Sequence, residues 1–293
     1  MGFSSYLQFF ISGVTMGSIY GLTALGFTII FNTTGIINFA QGEFVMLGGI
    51  LSVFFLKWFD IGLFPSILLA VLATTIIGGV IERFAIRPVK GASVINLIIV
   101  TIGVSIFVRG LTMIFLGKDT FSLPHFSGNL PLTFAGVAVM PQSIWILAIT
   151  LVLLAILRLF FTRTIYGKGM LACSYNRKAS SLVGIGVDRM VLFSFLISSL
   201  VGAIGGVILT PVTLTSYDVG IMLGLKGFSA CIIGGLGNPF GAAAGGVLLG
   251  ILESLCAGVI SSAYKDAFAF FVLLVLLFVK PSGLFGQAKI ERV

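Results

Sequence analysis

Asn38, Gln41 and Glu43 fall within one short stretch, Asn32–Glu43, that reads NTTGIINFAQGE. Amides donate and accept hydrogen bonds and a carboxylate accepts them, so together these groups suit a polar solute. They do not break bonds unaided, and no nucleophile–base pair accompanies them. The stretch also holds Gly35, Gly42 and two threonines, between segments that read as bilayer-spanning helix. Irregular polar backbone at membrane depth is tolerated only where protein buries it or where it lines an aqueous cavity. A second interruption, at 234–246, reads GGLGNPFGAAAGG. There proline removes a donor and glycine frees the backbone, so a helix must stop and restart around Asn238–Pro239. Two broken segments, one early and one late, point to a solute path. The candidate path residues are therefore Asn38, Gln41, Glu43, Gly234, Gly235 and Asn238. The plainer reading of the second element is a tight cytoplasmic turn between two spans.

Four ionisable residues sit in or near apolar windows: Glu43, Glu82, Arg109 and Glu253. Charge in a membrane is expensive and functional by default, yet each has a cheaper explanation. Glu43 suits the first turn of the helix that begins FVML, where a carboxylate meets the positive end of the helix dipole. Glu82 borders Arg83 and reads as interfacial, and Arg109 can snorkel outward. Glu253, between Leu252 and Ser254, reads first as an inter-helix hydrogen-bond partner and second as a path residue.

Other chemistry is missing. There is no G-xxxx-GK-[ST] phosphate loop and no G-x-S-x-G elbow, and His125 is the lone histidine. No catalytic residue and no metal ligand is expected. Cys173, Cys231 and Cys256 follow no redox or metal spacing and read as small core residues.

The elements that must position these residues are membrane helices. The 293-residue chain is 58% hydrophobic and 9% charged, with a mean hydropathy of +1.19. A soluble domain carries roughly 25% charged residues, so this reads as an all-α polytopic membrane protein. Residues 1–293 form a single domain, with no room for a separate catalytic one. The start, MGFSSYLQ, lacks the basic region and cleavage site of a signal peptide, so the first hydrophobic run is expected to stay as a helix.

Windows approaching the roughly 20 residues of a span fall at 6–31, 62–81, 92–117, 142–161, 191–210, 240–260 and 264–280. The shorter windows 43–57 and 221–237 are full or partial spans, giving eight to nine membrane segments. Lys and Arg cluster in three connections: Arg83, Arg87 and Lys90; Arg158, Arg163, Lys168, Arg177, Lys178 and Arg189; and Lys280, Lys289 and Arg292. By the positive-inside rule these are cytoplasmic, which explains the net charge of +8 without nucleic acid. Loop 118–141 and the connections near Asp218 and Lys265–Asp266 take the other side. Nine crossings place the N-terminus outside and the C-terminus in the cytoplasm. Gly13, Gly17 and Gly21, with Gly202/Gly206, Gly241/Gly245 and Gly246/Gly250, form small-residue ladders that read as close helix packing or as a subunit interface. The basic loop 162–190 contains a short amphipathic helix over Lys178–Val183 that ends at Gly184, a docking surface or simply a topology signal.

At these residues the chain resembles a known family. The run YGLTALGFTIIFNTTGIINFAQGEFVMLGG, loop RTIYGKGMLACSYNRKASSLVGIGVDR and LKGFSACIIGGLGNPFGAAAGGVLLGILES are similar, in order, to signatures of the branched-chain amino acid ABC transporter permeases. The resemblance implies the smaller, H-type subunit of a bacterial importer in the inner membrane. Its implied partners are a second homologous permease, two cytoplasmic ATPases and a periplasmic binding protein, with membrane lipid around it. The subunit itself would bind no cofactor; ATP and magnesium belong to the ATPases. The resemblance also makes the loop around Asn176–Gly184 the coupling element, carried by Asn176, Arg177, Lys178, Ala179 and Gly184. Asn176, Arg177, Ser180 and Ser181 depart there from the family's usual acidic residue and two alanines. Related systems move urea, short amides and aromatic acids, so the solute does not follow from the resemblance. The rival readings are a stand-alone secondary transporter or facilitator, a structural subunit without a path, and, least supported, a membrane enzyme.

Overall fold

A computed structural model describes residues 3–286 apart from 90, 129, 135 and 136. Lys90, Lys289 and Arg292 of the basic groups lie outside the described residues. The chain forms α1 (Phe3–Thr34), α2 (Gln41–Phe59), α3 (Leu63–Ile81), α4 (Val94–Leu116), α5 (Pro141–Arg163), α6 (Ile165–Tyr175), α7 (Arg177–Leu182), α8 (Val187–Thr213), α9 (Val219–Gly234), α10 (Pro239–Val259) and α11 (Lys265–Val279). Local sequence explains several boundaries. Ser93 caps α4 by accepting from the Asn96 N–H, and Pro141 and Pro239 occupy first-turn positions that need no donor. The loop between α4 and α5 carries a small antiparallel hairpin, Leu132–Phe134 against Val137–Val139.

Among the described residues, eight helices are long and apolar enough to cross a membrane. The marginal window 43–57 becomes the full-length α2, whereas 221–237 becomes the 16-residue α9. The helices share two ends. At one end the Arg177 side chain reaches Thr34, Arg87 lies 3.6 Å from Asp188, and Leu284 N–H donates to Ile233 O. At the other, Gln8 bonds the Ala138 backbone, Ser254 bonds Phe9 O, and Phe121 pairs with Thr215. All described members of the three basic groups therefore gather toward one end, with α1 beginning at the opposite end.

α1 runs through the middle of the bundle. Its apolar window is 83% buried, against 17% for α4 and 6% for the segment containing α11. Bilayer interiors supply little hydrophobic force between helices, so close backbone contact must hold them. The glycine ladders provide it within the chain: Gly13 and Gly17 face Gly250, Gly246 and Val247 on α10. A Cβ on Gly17 would stand 2.7 Å from Val247 Cα, and one on Gly13 would stand 2.6 Å from Ile251 Cα. That face is consumed by internal packing and is not free for another subunit. Gly202 and Gly206 of α8 meet Phe44, Val45 and Gly49 of α2 in the same way.

Glu82 differs from its expectation. It is 2% exposed, enclosed in a π-helical turn over Glu82–Ile86, while Arg83 beside it is exposed. Glu253 is an inter-helix partner, with Oε1 2.7 Å from Lys226 Nζ on α9.

Candidate functional site

The break after α1 is shorter than the polar stretch around it. Helix continues through Thr34; only Gly35, at φ +71°, to Ala40 is irregular, and α2 starts at Gln41. Gln41 packs onto Gly26, eight residues before α1 ends. At about 1.5 Å per residue that is roughly 12 Å back into the bundle. The chain thus descends to the end of α1 and climbs again before α2 begins, leaving the N-terminus of α2 at depth.

Asn38, Gln41 and Glu43 are brought together there, each no more than 1% exposed. Asn38 Oδ1 accepts from Ala40 N–H at 3.2 Å and so turns the chain into α2. Ser198 Oγ on α8 lies 2.5 Å from Gln41 Oε1 and 2.9 Å from Gly26 O, and Gln41 Nε2 donates to Ser198 O at 3.3 Å. Glu43, in the first turn of α2, accepts from Ser105 Oγ of α4 at 2.8 Å. Arg109, one turn further along α4, is close enough for its charge to act on Glu43. Two polar atoms remain open: Asn38 Nδ2 and Glu43 Oε2 are buried without a hydrogen-bond partner. Buried polar groups are nearly always satisfied, so these two mark a place that can take a hydrogen-bonding guest.

The first turn of α9 closes the other side. A Cβ on Gly42 would stand 2.8 Å from Gly224 Cα, and one on Gly220 would stand 2.7 Å from Glu43 Oε2. α9 follows a second irregular connection, which enters from the end opposite to Gly35–Ala40. It begins with Leu214 at φ +64°, a strained conformation for a branched side chain. Two helix N-termini therefore meet at Gly42 and Gly220, having entered from opposite ends.

This second re-entry is not the element singled out by its glycines. Gly234 ends α9 at the end away from Glu43, and Gly235 and Asn238 belong to the tight four-residue turn that leads into α10. Asn238 Oδ1 accepts from the Phe240 and Gly241 N–H groups and its amide donates to Phe285 O, so its side chain is spent on capping. Asn32 donates to Gly237 O at 3.0 Å, tying that turn to the end of α1. Sequence reasoning missed Ser105, Ser198 and Thr101, whose hydroxyl accepts from the Phe39 N–H at 3.2 Å; it placed a connection near Asp218 on the outer side without reading it as a re-entry. Pro211 inside α8 and the polar run TSYD were the available signals. It also passed over Lys226, a lysine inside an apolar window.

In the basic loop, α7 spans Arg177–Leu182, with Gly184 at φ +88° just beyond it, close to the expected short helix. Asn176 caps it by accepting from Ala179 N–H at 3.0 Å. Arg177 donates to Thr34 O at 3.0 Å. Lys178 and Ala179 face outward, and Tyr175, Leu182 and Val183 are 89%, 87% and 77% exposed. α6, which precedes α7, was not anticipated. Beneath them Cys173 is buried, and that burial pushes its thiol up from the usual value.

Comparison with known proteins gives this arrangement a lineage. Residues 9–277 match the family model described as the permease component of branched-chain amino acid transport systems. The chain is 33% identical to the high-affinity branched-chain amino acid transport system permease protein LivH of Escherichia coli, covering 99% of each chain. It is 32% identical to the corresponding protein BraD of Pseudomonas aeruginosa, covering 98% of each. A more distant relative is the ribose import permease protein RbsC of Haemophilus influenzae, 24% identical over 93% of this chain and 84% of that one. A family match across nearly the whole length, together with eight span-length helices, makes this multi-pass membrane protein a member of the branched-chain amino acid transport permease family.

Proposed function

We propose that the chain is the membrane-spanning permease subunit of a binding-protein-dependent ABC importer, and that with a second homologous permease it forms the path for branched-chain or related hydrophobic amino acids. In this reading it is a single transmembrane domain of a bacterial inner membrane. Its basic end faces the cytoplasm, following the positive-inside rule. Two ATPase subunits hold ATP and magnesium; this chain holds no cofactor and catalyses no reaction. A periplasmic protein delivers the solute.

The observation that carries the reading is the Arg177–Thr34 bond. It links an exposed, partly apolar helix at the basic end to the last residue of α1, directly before the break that positions Asn38, Gln41 and Glu43. Closure of the ATPases would move α7, and Arg177 would pass that displacement to α1 and the Gly35–Ala40 connection. The two re-entrant helix starts would then part or close around the solute. A ligand shifts such an equilibrium only through differential contacts with the two states. The open valences at Asn38 Nδ2 and Glu43 Oε2 are where such contacts are available.

Co-purification under mild detergent is the direct test. Recovery of two ATPases and a second permease supports the assignment. Recovery of the chain as a lone homo-oligomer, with solute uptake by this chain alone in liposomes, replaces it with a facilitator.

A further inference from the structure

α9 differs from the eight span-length helices. Its 16 residues, Val219–Gly234, fall short of the roughly 20 that a span needs, so bilayer thickness does not set its height. Its first turn nonetheless has to meet Glu43: a Cβ on Gly220 would stand 2.7 Å from Glu43 Oε2. Glycines supply much of its packing. Gly220 and Gly224 lie against Gly42 of α2, and Gly227 lies against Thr23 of α1. Contacts of that kind bring backbones close, but each atom pair contributes little.

Lys226 is the one charged residue in α9 and is 6% exposed. Its Nζ donates to Glu253 Oε1 on α10 at 2.7 Å and to Tyr20 Oη on α1 at 3.2 Å, and it stands 2.6 Å from Asp266 Oδ1 in the first turn of α11. A lysine has three donors, so one side chain meets three separate helices. Gly220, Gly224 and Gly227 share one face of α9, whereas Lys226 lies about 120° round the helix from Gly220. It also lies about 10 Å along the axis from Val219. Contacts on two faces at different heights fix both the rotation and the axial position of a helix. Turning or sliding α9 would strand Lys226 and the buried Glu253 in a medium where lone charges are expensive.

We propose that Lys226 is a positioning residue, setting the height and rotation of α9 so that its first turn stays seated against Gly42 and Glu43. It touches no solute and acts through the helix that carries it. The consequence for solute passage rests on the reading of the chain as a permease subunit. The setting of α9 does not, and its test needs no ATPase, so the two can fail separately.

The test measures distances between spin labels by electron paramagnetic resonance on the purified full-length chain in detergent. One pair joins Ile221→Cys on α9 to Phe59→Cys at the end of α2, both exposed positions; the native Cys173, Cys231 and Cys256 are buried. A control pair, Phe10→Cys on α1 and Leu248→Cys on α10, spans the same bundle without touching α9. Neutralising the charges together, as Lys226→Met/Glu253→Gln/Asp266→Asn, avoids stranding a carboxylate. The Ile221–Phe59 distance is expected to shift by about 3 Å, two residues of helical rise, while the Phe10–Leu248 distance stays fixed. Tyr20→Phe removes one tie and strands no charge. It is expected to broaden the Ile221–Phe59 distribution about twofold, and it decides the matter if the triple variant does not fold. An unchanged Ile221–Phe59 distance in the folded triple variant overturns the proposal. So does an equal shift in both pairs, which would make the cluster a general brace, and so does an unbroadened Tyr20→Phe distribution where the triple variant does not fold.

Discussion

Arg177 donates a 3.0 Å hydrogen bond to the carbonyl oxygen of Thr34, joining the first residue of α7 to the last residue of α1 across nearly half of the chain. The last carbonyls of a helix have no partner within it, and a cation is favoured at that negative end. The contact therefore completes α1 while giving the exposed loop a grip on the helix that precedes the polar break.

Cutting that grip should uncouple without unfolding. Arg177→Ala is expected to leave insertion and melting temperature nearly unchanged and to lower ATP-driven uptake by about three- to tenfold, from the modest worth of one charge-assisted hydrogen bond. Arg177→Lys, which retains a donor, is expected to recover part of the loss. Uptake in proteoliposomes, measured beside ATP hydrolysis, separates coupling from assembly.

The glycine ladder makes a stability prediction with an internal control. Gly17→Ala places a Cβ 2.7 Å from Val247 Cα and forces backbone apart, at a cost of about 1–3 kcal/mol or more. Gly103 on α4 has nothing within 4 Å of its would-be Cβ. There alanine relieves the helix penalty of glycine and should stabilise by up to about 1 kcal/mol. Thermal unfolding of the two variants should move in opposite directions.

At the polar junction, Gln41 and Ser198 act as a unit. Gln41→Leu and Ser198→Ala are each expected to lower stability. Because they share the same hydrogen bonds, the double variant should fall short of the sum by about 0.5–3 kcal/mol. Additive losses would show that the pair does not clamp α2 to α8.

Asn38 is expected to behave differently. Its Oδ1 makes a local turn worth about 1 kcal/mol, whereas Nδ2 is unpartnered. Asn38→Ala should therefore cost little stability and much transport. Unchanged uptake in the assembled complex would remove Asn38 from the path.

Cys173 offers a pH test of the loop. Burial raises its thiol, so the folded state favours the protonated form more than the unfolded chain does. Below the free-thiol value of about 8.5 the group contributes fully. Above it the unfolded chain ionises first and stability declines with rising pH. Cys173→Ala should flatten that decline, and maleimide labelling of Cys173 should stay slow at pH 7 because the thiolate is the nucleophile.

Sequence alone determined the class. Sparse charge, span-length apolar runs and basic clusters are local quantities, and they are enough to specify membrane helices and their grouping at one end. It also located Asn38, Gln41 and Glu43, because amides and a carboxylate between apolar runs are conspicuous, and it placed the short helix before Gly184. Partnership was decided only by tertiary structure. Gly234, Gly235 and Asn238 carry a strong break signal, yet whether a break is a re-entrant start or a capped turn depends on which helices lie beside it. Leu214–Asp218, with no glycine, re-enters, and α9 begins at depth against α2, where Gly42, Gly220 and Gly224 let the two backbones approach. Likewise, the ladders of α1 and α10 announced close packing but not with whom, and Lys226 became legible only once Glu253, Asp266 and Tyr20 stood around it. Spacing along the chain records what each helix can offer; which offers are taken up is a three-dimensional matter of close backbone approach and of polar groups that must find partners in a medium without water.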